Sequence, residues 1–189
     1  FYSKKREKNH SIVEILTSNK ILDIYEQRDS LSRVINKTTS KLYSFPVSLF
    51  SHHVMDWILR KWSEKNDRIY DPAGGFGGRL IGTYYHKDVK YMATDPFTYD
   101  DLCFINDFLN LNATIYDKKS EDLVVDCDMV VCCPPYYKDE TYGEIENRDY
   151  SVWLDEYWKK TIDNISTKKF VLIVSDKYQE MIDIVSKKW

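Results

Sequence analysis

Five of the six glycines in this 189-residue chain (Gly74, Gly75, Gly77, Gly78 and Gly82) fall within nine residues. Glycines serving ordinary turns would be scattered, so one loop needs unusual backbone freedom. The loop opens directly after a short apolar segment, residues 68–73, and runs into a helical pattern over residues 80–86. A strand, a glycine loop and a helix in succession form the opening unit of an α/β sheet.

The alternation continues down the chain. Residues 90–95 read as a strand, followed by a helix over 101–109 with Thr98 and Asp101 at capping-box spacing. Residues 113–117 make a third strand. Residues 128–133 are a near-continuous apolar run, which suits a central strand of a parallel sheet covered on both faces. A last strand is expected at 170–175. Helical patterns at 152–165 and 178–185 separate or follow these strands, and another at 47–62 precedes them. The pattern predicts an α/β fold with a doubly wound, mostly parallel sheet, whose crossovers are right-handed. Ligands in such sheets bind at the carboxyl ends of the strands, beside the switch in strand order. Residues 1–40 are charged and helical in pattern without a place in the sheet. They read as an N-terminal arm or lid on a catalytic domain of residues 41–189.

Composition narrows the partners. Apolar residues make up 43% and charged residues 30%, which is globular. No apolar run approaches the ~20 residues that span a bilayer, and no secretory leader pattern opens the chain. The expectation is a soluble, cytoplasmic protein without a membrane partner. A net charge of −3 argues against a uniformly basic coat, so a polynucleotide would be held by a cleft, with Lys4, Lys5, Arg6 and Lys8 as a local basic patch. Cys103, Cys127, Cys132 and Cys133 have neither zinc nor disulfide spacing and read as reduced thiols in buried strands. His52 and His53 lack metal-ligand spacing, and no metal is expected.

The loop itself reads Asp71, Pro72, Ala73, Gly74, Gly75, Phe76, Gly77, Gly78, Arg79. A phosphate-cradling loop would end in Lys and then Ser or Thr, and neither follows. The dinucleotide fingerprint is met only at Gly75 and Gly77, since its third position is Leu80. A carboxylate at the end of the second strand, here Asp95, can accept hydrogen bonds from ribose hydroxyls. Asp71 would face an ammonium group more comfortably than a phosphate, because like charges in a low-dielectric cleft repel. Adenosine carrying an amino acid, as in S-adenosylmethionine (SAM), satisfies both. The bland alternatives are a tight strand-to-helix turn for the loop and a helix-capping carboxylate for Asp95.

The fourth strand ends Cys132, Cys133, Pro134, Pro135, Tyr136, Tyr137. Two prolines remove two donors and present the neighbouring carbonyls as acceptors. Here the chain resembles the SAM-dependent methyltransferases that act on exocyclic amino groups of bases, the adenine-N6 and cytosine-N4 DNA enzymes and their relatives. In that family the fourth strand ends in Asp, Asn or Ser followed by Pro, Pro and an aromatic, and the first in Asp-Pro-Phe-Ala-Gly-x-Gly. The resemblance runs over residues 43–176. It implies a Rossmann-like fold, SAM as cofactor and DNA as partner, with RNA as the variant.

The same resemblance assigns roles. Phe45 and Pro46 match an element near the methionine part of the cofactor; Asp71, Pro72, Ala73, Gly74, Gly75 and Gly77 match its loop; Asp95 and Pro96 match the ribose side, and Asp117 the adenine side. Cys133, Pro134, Pro135 and Tyr136 match the catalytic turn. There the Pro134 carbonyl and the side chain at 133 would draw on the hydrogens of an amine whose lone pair is otherwise delocalised, while Tyr136 stacks on the base. Cys133 departs from the pattern, since a thiol is a weak acceptor. A cysteine nucleophile of the cytosine-C5 kind is disfavoured, because in those enzymes proline precedes the cysteine. Tyr137 reads as packing, and Asp139, Glu140 and Glu144 as residues of a target loop. The family continues for two more strands, so the sheet appears truncated after the fifth; a missing C-terminal segment, the N-terminal arm or a protein partner is expected to cover its edge. The rival to an enzyme is a non-catalytic or partner-dependent subunit that keeps the fold and binds nucleotide or nucleic acid.

Overall fold

The computed structural model describes residues 50–137 and 149–189. Within them, strands β1 (Arg68–Asp71), β2 (Lys90–Thr94), β3 (Thr114–Tyr116), β5 (Met129–Cys132) and β7 (Lys169–Leu172) form a five-stranded sheet in the order β3-β2-β1-β5-β7. Every pairing in it is parallel. Strands β4 (Val125–Asp126) and β6 (Ile165–Ser166) make a separate parallel pair. The α/β class and the parallel sheet expected from the sequence are those of the structure.

Side chains alternate across the sheet with period two, and this divides the core into two layers. On one face Ile69, Tyr91, Ala93, Met129 and Val131 pack with Met55, Ile58 and Leu59 of α1 (His52–Trp62), Leu80 of α2 (Gly78–Gly82) and Leu102 of α3 (Tyr99–Leu109). On the other, Tyr70, Val130 and Cys132 pack with Trp153, Trp158 and Ile162 of α4 (residues 150–163) and Met181 of α5 (Gln179–Lys188). All four residues of β5 are buried, as the apolar run predicts for a strand covered on both sides. Full burial of each such side chain is worth about 1.5–3 kcal/mol.

Several local expectations are corrected. Helix α2 ends at Gly82, four residues earlier than the periodicity suggests, where the Thr83 hydroxyl turns back onto the Leu80 carbonyl at 2.7 Å. The helix α4 runs through an α-helical Tyr150–Trp153, a π-helical Leu154–Lys159 and an α-helical Lys160–Asp163. Its wide turn carries Trp158, which is fully buried and donates from Nε1 to the Met181 carbonyl at 3.1 Å. Strands β4 and β6 have two residues each, too short to leave a period-two signal. Cys103 lies half-buried on α3, and Cys127 is buried in the link between β4 and β5, so only Cys132 is a thiol within a buried strand. Among the described residues no helix is long and apolar enough to cross a membrane.

Gly82 lies where α2 meets α1, and a Cβ there would fall 2.4 Å from the Met55 Cβ. Gly82→Ala is expected to lower the unfolding free energy by about 1–3 kcal/mol, the usual cost of overpacking. Urea denaturation reads this as a lower midpoint at unchanged slope; an unmoved midpoint would show that the α1–α2 contact relaxes freely.

Candidate functional site

Strand order reverses between β1 and β5. The chain steps from β1 to β2 and β3 on one side, then returns to β5 on the other, which opens a crevice at the carboxyl ends of β1 and β5. The glycine loop follows β1, and Cys133, Pro134, Pro135 and Tyr136 follow β5. The two segments singled out in the sequence therefore end on neighbouring strands.

Asp71 closes β1 with its carboxylate wholly buried. A buried charge requires a partner, and Arg79 of α2 supplies it, with Nε 2.6 Å from Oδ2. The Tyr91 hydroxyl donates to the same oxygen at 2.5 Å, and the Ala73 N–H donates to Oδ1 at 3.1 Å. Arg79 also donates to the Ala73 carbonyl and lies over the Phe50 ring, 5.1 Å from its centroid. Burial works against the Arg79 charge, but the attraction of Asp71 outweighs it and holds the guanidinium pKa above its ordinary value. The sequence reading turns Asp71 toward a ligand ammonium; the structure turns it inward, because a carboxylate at this depth needs a permanent counter-charge. The neighbouring Pro72 is buried as well.

The glycines have two different causes. A Cβ at Gly74 would meet Leu102 Cδ1 at 2.7 Å, one at Gly77 would meet Ile105 Cδ1 at 2.7 Å, and one at Gly78 would meet the Phe50 carbonyl oxygen at 2.2 Å. These three are small because helices and chain pack onto the loop. Gly77 is left-handed as well, at φ +80°; Gly75 has φ +55° and differs in its surroundings, since a Cβ there would meet only the Ala73 carbonyl oxygen, at 3.7 Å. It is the position where the loop has left-handed backbone and room beside it.

Asp95, just past β2, ties this loop down. Its Oδ2 accepts from the Gly75 N–H at 2.8 Å, while Oδ1 accepts from the N–H groups of Phe97 at 2.9 Å and Thr98 at 3.2 Å. It thus ties the turn that leads into α3 to the glycine loop. Three N–H groups use three of the roughly four acceptor positions of a carboxylate. Burial raises the Asp95 pKa, against the pull of those N–H groups. Thr98 holds the N-cap position without a side-chain cap bond; its hydroxyl donates instead to the Gly75 carbonyl at 2.6 Å, so the expected capping box does not form. Pro96 is exposed. The Thr94 hydroxyl donates to the Lys118 carbonyl, and the Asp95 N–H to the Tyr116 carbonyl at 3.4 Å, which brings exposed Asp117 beside the end of β2.

At the end of β5, Cys132 is fully buried, and burial and then Asp71 push its thiol well up, which disfavours a nucleophilic role. Burial likewise pushes the Cys127 thiol up to about 11. Pro134 is buried, while Cys133, Pro135 and Tyr136 are half-buried. The Ile173 N–H donates to the Cys132 carbonyl at 2.8 Å, extending the β5–β7 ladder one step beyond β7. The Tyr136 ring stacks on Tyr178 with centroids 5.0 Å apart and planes 15° from parallel. Tyr137 packs 5.3 Å from Tyr150 and 5.8 Å from Trp153. His52 and His53 are exposed on α1. Phe45, Pro46, the basic patch at Lys4, Lys5, Arg6 and Lys8, and the target-loop residues Asp139, Glu140 and Glu144 lie outside the described residues.

Sequence reasoning missed Arg79, Tyr91, Thr98 and Tyr178 as members of this region. Arg79 left one signal, a cation in an otherwise apolar segment eight residues from an acid. Tyr91 and Tyr178 left none, since their partners are on other strands.

Asp95→Asn leaves one carbonyl oxygen and turns an NH2 group toward an N–H donor. It is expected to destabilise the chain by about 1–3 kcal/mol, the cost of an unsatisfied buried donor. The raised pKa means that the fold keeps a proton on Asp95 which the unfolded chain has released. Its contribution to stability therefore falls as the pH rises through the interval just above 3.8. Thermal unfolding from pH 3.5 to 6 should show that slope in the wild type and its loss in Asp95→Asn; identical profiles would refute the assignment.

No family model matches the sequence, and no curated protein matches it. Solved structures do. An S-adenosylmethionine-dependent O-methyltransferase from Thermotoga maritima is 13% identical with a TM-score of 0.50, over 85% of this chain and 55% of that one. A proposed RNA methyltransferase from Pyrococcus horikoshii is 11% identical, also at 0.50, over 72% of this chain and 66% of its own length. A proposed methyltransferase from Streptococcus mutans, solved with SAH, is 13% identical at 0.50, over 75% and 84%. This chain thus spans less than two thirds of the length of the first two. At these identities the likeness speaks to architecture: the chain has the α/β, Rossmann-like fold of the methyltransferases.

Proposed function

We propose that this chain transfers a methyl group from S-adenosylmethionine to an exocyclic amino group of a nucleic-acid base, adenine N6 or cytosine N4 in DNA. The observation that carries the reading is the pairing of β1 with β5, Ile69 with Met129 and Tyr70 with Val130, which sets the glycine loop and the diproline turn side by side at the switch in strand order. A donor loop and an acceptor turn on adjacent strand tips are what a direct transfer between two bound molecules requires.

The residues suit the cofactor in part. Gly75 offers open backbone at a left-handed φ of +55°, and Asp95 retains acceptor capacity for a ribose hydroxyl at the end of β2. Asp117, exposed at the end of β3, is the candidate for the adenine edge. Asp71 does not suit direct contact with an ammonium group, being closed off by Arg79 and Tyr91; its part is to hold the loop. When bound, the cofactor supplies an electrophilic methyl on a sulfonium centre. The chain's own work lies at the diproline turn. The Pro134 carbonyl accepts one hydrogen of the acceptor amine and the residue at 133 faces the other, which localises the nitrogen lone pair. Tyr136 offers a ring on which the unstacked base lies, worth about 1–3 kcal/mol.

One observation favours a second reading. Cys133 stands where a strong acceptor is expected, which suits a subunit that binds nucleic acid without efficient transfer, or one that depends on a partner. RNA as the polymer draws support from the name of the Pyrococcus horikoshii structure. Incubation of the chain and SAM with unmodified DNA and RNA, digestion to nucleosides and mass identification of any methylated one separates these readings. Label in N6-methyladenosine or N4-methylcytidine species supports the proposal, and cofactor binding by calorimetry with no transfer supports the second reading. Tyr136→Ala is expected to lower transfer about ten- to a hundredfold, matching loss of base stacking, while the calorimetric affinity for SAM stays unchanged. Cys133→Asp is expected to raise transfer; a fall would show that the thiol suits its substrate.

A further inference from the structure

The stacked pair at the end of β5 and β7 goes beyond the diproline turn itself. Tyr178 belongs to a single 3-10 turn, Asp176–Tyr178, just after β7, and only 7% of it is exposed. Tyr136, its partner in the stack, is half-buried, so of the two rings it is Tyr136 that keeps the larger exposed share. The Tyr178 hydroxyl comes within 3.5 Å of the Tyr137 carbonyl oxygen, too long for a strong bond. The ring stack and this long contact both join the two turns.

That link is braced from beneath. Tyr137 is held by Tyr150 and Trp153 of α4, and the Tyr150 hydroxyl reaches Glu180 of α5 at 3.4 Å. Trp158 of α4 is bonded to the Met181 carbonyl of α5. The Ile173–Cys132 hydrogen bond joins the two strand ends below the rings. Tyr178 thus stands beside a packed junction of α4 and α5, and Tyr136 stacks on Tyr178. Stacking narrows the rotamers open to Tyr136, and a ring ordered in advance spares the free energy of ordering it at the moment of binding.

We propose that Tyr178 is a positioning residue that sets the plane of the Tyr136 ring before a base arrives to stack on it. The inference rests on the reading of Tyr136 as the base-stacking residue. Tyr178 touches neither cofactor nor acceptor in this scheme; it acts through Tyr136. Since a stacked base is held alike in the ground state and the transition state, losing the brace raises KM for the polymer and leaves kcat nearly unchanged.

The experiment uses the full chain with Tyr178→Leu and Tyr178→Phe, checked for folding by thermal unfolding and for SAM affinity by calorimetry. Transfer kinetics are followed on the polymer labelled by the wild type. In parallel, 3-fluorotyrosine in place of Tyr136 reports by 19F NMR the ring current of whatever stacks on it. Tyr178→Leu is expected to raise KM about three- to tenfold, the range of an aromatic pair, and to shift the 19F line toward the solvent-exposed position, with SAM affinity unchanged. Tyr178→Phe is expected to restore both KM and line position to within twofold and the wild-type shift. An unmoved KM or an unmoved 19F line in Tyr178→Leu would overturn the proposal while transfer by the wild type upholds the base-methylation reading. A moved 19F line with no transfer to any polymer by the wild type would overturn that reading and uphold Tyr178 as the brace of Tyr136.

Discussion

The buried pair Asp71–Arg79 is the interaction on which the site's geometry depends. Both side chains are cut off from solvent, with 0% and 5% exposure, and taking two charges out of water is tolerated only with short, well-formed bonds. Those bonds reach the Tyr91 hydroxyl on β2 and the Ala73 N–H and carbonyl in the loop. One cluster thereby ties the end of β1, the start of α2 and the adjacent strand. Breaking such a pair by removing one partner commonly costs about 3–5 kcal/mol. The loop between them has little freedom to be anything other than the narrow turn observed.

With that loop anchored, the second clamp becomes intelligible. Asp95 binds the Gly75 N–H from one side and the N–H groups of Phe97 and Thr98, just ahead of α3, from the other, and Thr98 returns a bond to the Gly75 carbonyl. Gly75 is held at both its N–H and its C=O while its missing side chain leaves open space. A carboxylate and a hydroxyl of the protein thus hold the loop on both sides of Gly75, and positioned groups of this kind are what a transfer between two bound molecules requires.

Much of the fold was legible in the chain. Short apolar runs named β1, β2, β3, β5 and β7, the glycine and proline clusters marked the two strand ends that matter, and the parallel sheet followed from strands alternating with helices. Element ends were less legible: α2 stops at Gly82, where the N–H groups of Thr83 and Tyr84 turn back three residues to the Leu80 and Ile81 carbonyls, a choice that apolar periodicity does not encode. For the site, position was legible but allegiance was not. Asp71 was singled out for its place and its charge, yet its partner is Arg79. Asp95 clamps the glycine loop and the turn before α3 as well as being a candidate for ribose.

The sequence by itself determined which segments become strands and helices, and where the backbone must bend sharply, because these follow from local spacing and from what glycine and proline permit. Only the tertiary structure decided that β5 lies against β1, that Gly74, Gly77 and Gly78 are small to admit Leu102, Ile105 and Phe50, and that Tyr136 stacks on Tyr178. Each of those facts joins residues on different elements. The energy that selects them is burial and charge pairing summed over the assembled sheet, and that sum has no value until the strand order exists.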